Sequence, residues 1–311
     1  MSFAAMAARA TRSASASSDD ECLLLALSHD ALGVIVDGLA DPLQPVVAVA
    51  FSSTCKGLRT PLRAALEVLQ QRHLRAAALC SKIRKSCAMV CDATELLLGV
   101  WGLNADDMAT LGMILQTNGL PRLQRLGLGN NRFGDEGMQA LCGSLGPGAL
   151  PSLHSLGLKT TFASMIKLGP AGAEALAAAL GRGAMPQLQK LDLNFNHIGS
   201  QGAGALALPL CKLPALKSLH FEGAEIGDEG VASLVANLLK DDFKKLEFLA
   251  LHRNRITDSG MAVLVSAIDK GMMPSVQQVI LYENDASGEA RDSVRDALYG
   301  LARAIAKGYT P

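Results

Sequence analysis

The chain has 311 residues, 49% of them hydrophobic but only 4% aromatic, so alanine and leucine carry much of the burial. Lys plus Arg and Asp plus Glu each number 29; the zero formal charge leaves no electrostatic footprint for nucleic acid and no pull toward an anionic membrane. No apolar run reaches the roughly 18 residues that span a bilayer; the nearest, Ala31 to Phe51, is interrupted by Asp37, Asp41 and Gln44.

Residues 1–21 are rich in Ala and Ser, with Arg9 and Arg12 ahead of the first acid, Asp19. This composition predicts a disordered tail; an organelle transit peptide shares it, and that alternative stays open. No secretory leader with a continuous apolar core is present. Seven cysteines are an odd number and form no C-x-x-C pair. Cys80, Cys87 and Cys91 cluster, but with neither nearby histidines nor zinc-type spacing. Reduced thiols in a cytosolic or nuclear protein are expected, with no cofactor.

Residues 22–60 predict a small helical module. LSHDALGVIVDGLADP reads as a helix with Ser28 near its start and Gly38 near its end, followed by a turn at Asp41-Pro42. A second helix runs from about Val46 to Thr54, and CKGLRTPLRAAL begins a third. Leu32, Ile35, Val36 and Leu39 give one apolar face; Val46, Val47, Ala50 and Phe51 give another. Leu27, Leu32, Ile35, Leu39, Asp41-Pro42, Ser52, Cys55, Lys56 and Arg59 fall in the pattern of an F-box, and the stretch resembles that family. Ser28 stands where a proline is usual, and Leu58 where a tryptophan is common. The resemblance implies docking on the Skp-type adaptor of a cullin–RING ubiquitin ligase, with Leu32, Ile35, Leu39, Pro42, Val46 and Phe51 near the apolar interface. The residue pattern by itself also fits a helical cap on the remainder of the chain. Residues 61–92 read as a helical linker, with basic Lys82, Arg84 and Lys85 near its end.

From residue 93 a phrase recurs: Leu-x-x-Leu-x-Leu, two residues, a polar residue, then an apolar residue and usually glycine. Its first positions are Ala93, Leu123, Leu153, Leu188, Leu216, Leu246 and Val276, spaced by 30, 30, 35, 28, 30 and 30 residues. A period of this length predicts stacked units, each too small to bury its own apolar face. Leu126-x-Leu128 is a short strand with leucines inward; Phe133, Met138 and Leu141 continue the inward set at helical spacing, and Gly134 and Gly137 turn the chain between the two. The spacing resembles the ribonuclease-inhibitor type of leucine-rich repeat over residues 93–288. In that family an asparagine after the strand ties adjacent turns together. Asn131, Asn196, Asn254 and Asn284 occupy that position, and Trp101, Thr161 and Ala224 break the ladder. The resemblance implies an α/β solenoid of about seven repeats, a horseshoe with parallel strands inside and helices outside. Residues 289–311 read as a capping helix, with Val294, Leu298, Leu301 and Ile305 on one stripe.

Strand residues between the leucines face away from the core. The early strands give a shallow, glycine-lined surface with Gly127, Gly129 and Gly157. The later ones bring together Lys190, Asp192, Asn194, His220, Glu222, Phe248, His252 and Tyr282. This set predicts a polar protein-binding patch on the concave face, with Phe248 and Tyr282 as anchors. A metal or acid–base centre at His220, Glu222 and His252 is the competing chemistry, and a solvated face without a partner is the third reading. The insertion in the third repeat, with Thr161, Phe162, Met165 and Ile166, reads first as a tolerated surface insertion; an apolar loop beside that face that contacts a partner is the other reading. No phosphate-binding G-x-x-x-x-G-K-[ST] loop and no nucleophile setting occur.

These features lead to a non-enzymatic scaffold, a monomer within a larger complex. It carries its protein substrate on the repeats and a Skp-type adaptor on residues 22–60, in cytoplasm or nucleus, with no nucleic-acid or membrane partner. The alternative is a binding, inhibitor or GTPase-regulator-like module whose N-terminal helices serve only as a cap.

Overall fold

The fold is that of a computed structural model of the chain. It describes residues 27–53, 58, 60–117, 120–161, 167–236, 238–239 and 242–306. The expectations for the N-terminal tail, for Cys55, Lys56 and Arg59, for inserted Phe162, Met165 and Ile166, and for residues 307–311 lie outside the described residues. No helix among them is long and apolar enough to cross a membrane. The chain divides into two compact units, one of residues 1–93 with 113–120, the other of residues 94–112 with 121–311.

In the first unit, α1 (His29–Leu39) begins where the Ser28 hydroxyl accepts the Ala31 N–H at 3.1 Å. The turn beyond it is an Asx turn: the Asp41 carboxylate accepts the Leu43 N–H at 2.8 Å. Next come α2 (Val46–Ser52) and the 20-residue α3 (Arg63–Lys82). Leu32 and Val36 of α1 pack with Leu58 and Leu62, and Phe51 and Leu66 lean on that cluster. A second cluster joins Ala40, Ala48 and Leu69, with Leu39 against it.

The linker helix expected to run on through the basic residues stops earlier. The Lys85 N–H bonds the Cys80 carbonyl at 2.9 Å and the Arg84 N–H bonds Ser81 at 3.0 Å, with Arg84 left-handed at φ 52°. This pair of bonds is a Schellman motif, which satisfies the last carbonyls and reverses the chain. A short α4 (Cys87–Cys91) comes next, capped by the Ser86 hydroxyl.

The second unit is one parallel sheet of seven strands in sequence order. The strands are β1 (Glu95–Leu97), β2 (Arg125–Gly127), β3 (Ser155–Gly157), β4 (Lys190–Asp192), β5 (Ser218–His220), β6 (Phe248–Ala250) and β7 (Gln278–Ile280). Between and after them lie α5 (Ala105–Thr117), whose residues 113–117 are counted with the first unit, α6 (Gly134–Gly143), α7 (Pro170–Gly181), α8 (Gly199–Cys211), α9 (Gly227–Val235), α10 (Asp258–Asp269) and α11 (Gly288–Ala306). The repeat phrase sets the register: Leu96, Leu126, Leu156, Leu191, Leu219, Leu249 and Val279 pair in one row. The leucines of that row are almost fully buried. A three-residue strand is too short to stand alone, so each repeat borrows its stability from its neighbours.

Three devices stitch the repeats. The asparagine ladder that the resemblance implies forms at Asn131, Asn196, Asn254 and Asn284. Asn254 is fully buried and accepts the Ala224 and Ile226 N–H groups at 2.9 and 3.3 Å. Its amide donates to the carbonyls of Phe221, Leu251 and His252 at 2.6, 3.0 and 3.1 Å. Asn131, Asn196 and Asn284 reach back to the preceding repeat in the same way. Because the reach is backward, Trp101 in the first repeat breaks nothing. The gap at Ala224 is bridged forward instead, by Asn194 Oδ1 accepting the Glu222 N–H at 2.8 Å.

The second device is a row of aspartates at the helix starts. Asp135 accepts the Gly169 N–H at 2.6 Å, tying the second repeat to the third, where Thr161 interrupts the ladder. Asp228 accepts from Thr257 and Gly260, and Asp258 from Ser287. The third device corrects the sequence reading. Gly134 does turn the chain, at φ 53°, but Gly137 lies inside α6 and serves packing. A Cβ there would sit 2.4 Å from Phe133 Cβ; on Gly202 it would sit 2.9 Å from Ala173 on the neighbouring helix.

On α11, Val294 and Leu301 are buried, as the predicted stripe requires, whereas Ile305 is 49% exposed.

Candidate functional site

Leucine alternation leaves three rows of side chains on the face of β4–β7 that the buried leucines turn away from. One row is Lys190, Ser218, Phe248 and Gln278; the next is Asp192, His220, Ala250 and Ile280. The third lies just past the strands and runs Asn194, Glu222, His252, Tyr282. Its members are linked in series. Asn194 accepts from the Glu222 backbone at 2.8 Å, Glu222 Oε1 lies 2.9 Å from His252 Nε2, and the His252 ring lies 4.3 Å from the Tyr282 ring. A diagonal link joins His220 to Phe248, ring centroids 5.0 Å apart, while His220 Nε2 meets the Ser218 hydroxyl at 2.7 Å.

The predicted patch is therefore brought together, but its members differ in what they expose. Asn194 and His252 are corrected: both are 7% exposed, and they serve as internal links instead of contact residues. Glu222 is half-buried, Phe248 and His220 are partly accessible, and Tyr282 is 52% exposed. Lys190 is exposed and Asp192 half-buried at the near margin. Burial pushes the His220 imidazole below its ordinary pKa, against the pull of the Asp192 carboxylate. His252 Nδ1 is buried and has no hydrogen-bond partner among the described residues.

Arg253 and Glu283 belong to the site and were missed from sequence. Arg253 Nε and Nη2 grip the Glu283 carboxylate at 2.7 and 2.9 Å, and Nη1 reaches Glu222 at 3.3 Å. The fork holds the Glu283 carboxyl below, and the Arg253 guanidinium above, their ordinary ranges. A signal did exist. Asn130, Phe195, Arg253 and Glu283 each immediately precede a ladder asparagine, and each is left-handed, at φ 55°, 61°, 60° and 53°. The repeat thus fixes the backbone of this position while leaving its side chain variable. Phe195 uses the position to lie over Gly223, where a Cβ would come within 2.9 Å of its ring.

On the early half of the face, Gly129 is required for a steric reason. A Cβ on Gly129 would meet the Lys159 carbonyl oxygen at 2.1 Å. Among the described residues, no group of His, Cys, Asp or Glu is placed to hold a metal ion. A groove of about 1180 Å³ lies between β7 and α11, lined by Val276, Val279, Leu298, Tyr299 and Ile305 among others; it includes none of the predicted patch residues.

The six adaptor-binding candidates are spread through the first unit. Some of these residues were expected to serve the module's own core, and Leu32 and Pro42 take interior positions: Leu32 is 2% exposed, and the buried Pro42 offers its carbonyl to His73 Nδ1 at 2.8 Å. Leu39 and Phe51 are partly buried against the two core clusters, and Ile35 is half-buried. Val46 is half-exposed, and beside it in sequence Val47 is exposed, as is Val34 on α1. Among the described residues of the first unit, Leu27, Val68, Leu74 and Met89 are exposed as well; Val34, Val46 and Val47 are the exposed valines of α1 and α2.

Residues 121–142, 185–207 and 212–235 match the family model described as Leucine Rich repeat. These segments coincide with the second, fourth and fifth repeats of the sheet. Among solved structures, leiomodin-1 actin-binding site 2 (ABS2) is similar over 76% of this chain and 92% of that chain, at 11% identity and a TM-score of 0.33. A search of the curated proteins found no match. The second, fourth and fifth units of the parallel sheet thus match leucine-rich repeats, and such repeats point to a protein-interaction role.

Proposed function

We propose that the chain is a non-catalytic substrate-recognition subunit of a cullin–RING ubiquitin ligase. It takes its target on the open face of the fourth to seventh repeats, which would form the concave side of a ribonuclease-inhibitor-like arc. The observation that carries the binding face is the serial linkage of Asn194, Glu222, His252 and Tyr282. It holds the exposed Tyr282 ring, with Phe248 beside His220, in fixed positions before any partner arrives. Prepositioned aromatic side chains lose little entropy on binding and make strong anchors. The burial of His252 speaks against acid–base work: at 7% exposure its ring is closed to a reacting group.

The ligase part rests on the F-box resemblance and on exposed Val34, Val46 and Val47 in the first unit. Exposed valines on such a small helical unit suit a partner that covers them. The mechanism is positional: the adaptor fixes one end, and the repeats present a target to a ubiquitin-charged enzyme bound elsewhere. A second reading is a leucine-rich binding module with no ligase link. The placement of Leu32, Leu39, Pro42 and Phe51 in or against the unit's own core favours it.

Size-exclusion chromatography of the full chain with a purified Skp-type adaptor tests the choice. A one-to-one complex, lost on Val46→Asp with Val47→Asp, supports the ligase reading. Separate elution of the wild-type chain and adaptor refutes it and leaves the binding-module reading.

A further inference from the structure

The Schellman turn that ends α3 has a chemical result. Cys80 is the residue whose carbonyl accepts the closing bond from Lys85, and the reversed chain then starts α4 at Cys87. The turn folds the chain so that Cys87 starts α4 back toward Cys80, and each thiol perturbs the ionisation of the other. Cys80 is buried, while Cys87 is half-exposed. His73 lies seven residues before Cys80, on the same face of α3, and its field reaches Cys87. Cys91 is turned to another partner: its Sγ lies 3.9 Å from Asp41 Oδ2.

We propose that Cys80 and Cys87 form a peroxide-reactive dithiol that closes to a reversible disulfide. Cys87 is the attacking thiol because it is the accessible one; Cys80 is the resolving thiol because it is buried against it.

The groups around Cys87 fit the assignment. Its thiol is drawn down to about 6, chiefly by the Cys80 hydrogen bond and further by His73, against burial and the Asp41 carboxylate. Cys80 is pushed up by donating that bond and by burial, with smaller contributions from the charges of Cys87 and Cys91. In the first step the Cys87 thiolate attacks one peroxide oxygen. The O–O bond breaks, Cys87 becomes a sulfenic acid, and the departing hydroxide takes a proton to become water. In the second step the Cys80 sulfur attacks the Cys87 sulfur. The S–O bond breaks, and the leaving hydroxide takes the Cys80 proton as a second water. Two thiols are oxidised to one disulfide and one peroxide is reduced to two waters; a thiol reductant reverses the change.

The test uses the reduced full chain, treated with hydrogen peroxide at pH 7, alkylated and mapped by mass spectrometry. The expected product is a Cys80–Cys87 disulfide, a loss of two hydrogens that dithiothreitol restores. It should form at least about tenfold faster than any oxidation of Cys142, whose thiol burial pushes up to about 12. Alkylation of Cys87 should titrate with a midpoint near 6, and Cys80→Ser should leave a sulfenic acid on Cys87 that dimedone captures. Two thiols unchanged by peroxide, a disulfide to Cys91 instead, or a Cys87 midpoint above about 8 would each overturn the proposal. The wild-type measurements stand even if a variant folds poorly.

Discussion

Replacing Asn254 with alanine probes the side chain that joins the fifth and sixth repeats. The structure shows what is lost. The Phe221 carbonyl keeps the Ala224 N–H, Leu251 keeps the Asn284 amide, and His252 keeps the Gly223 N–H. The Ile226 N–H, by contrast, has no other acceptor among the described residues once Oδ1 is removed. One orphaned buried donor costs about 1–3 kcal/mol, and the remaining bonds and the small void add to it. The expected loss is about 3 kcal/mol, read as a lower urea midpoint at constant slope. Asn254→Asp sharpens the experiment, since it keeps the acceptor but sets a carboxylate oxygen against three carbonyls. Its folded pKa should be raised above the unfolded value of about 3.9, so the variant's stability falls as pH rises from there toward the folded pKa. A loss below about 1 kcal/mol in Asn254→Ala, or a neutral Asn254→Asp at pH 7, would refute the ladder as the main tie.

Three further outcomes are expected. Val100 is left-handed at φ 61° and 78% exposed, so Val100→Gly should raise stability by about 1 kcal/mol, read as a higher urea midpoint at constant slope. Gly129→Ala drives a methyl group into the Lys159 carbonyl and should cost about 2 kcal/mol in the same assay. Burial holds the folded pKa of His220 below its ordinary 6.5, so its contribution to stability is full above that value and declines as pH falls through the folded pKa. An NMR titration should place its midpoint below 6.5, and His220→Gln should flatten that part of the stability profile.

The sheet was legible because each buried position repeats its residue type. Leu126, Leu156, Leu191, Leu219 and Leu249 occupy one row, and their spacing alone sets the strand register. The asparagine ladder was legible for the same reason. The residues just before it were not: Phe195, Arg253 and Glu283 share a backbone conformation and no chemistry. Residues between the leucines were correctly assigned to one face, but facing outward did not mean exposed. His252 is covered by its links to Glu222 and Tyr282, which depend on neighbours about 30 residues away in sequence. In the first unit, apolar spacing found the helices without separating the stripe toward their own core from the stripe left outside. Leu32 and Val34 differ by two positions on α1, and one is buried while the other is 72% exposed. The Arg84 turn was hidden because glycine is the usual marker of such a stop, and here arginine takes the left-handed position.

The most direct test of a receptor with separate adaptor and target surfaces is quantitative affinity purification of three full-length forms: wild type, Val46→Asp with Val47→Asp, and Phe248→Ala with Tyr282→Ala. A receptor of this design loses the Skp-type adaptor only with the valine changes and loses its target only with the aromatic ones. Recovery of the same partners in the same amounts from all three forms would contradict it.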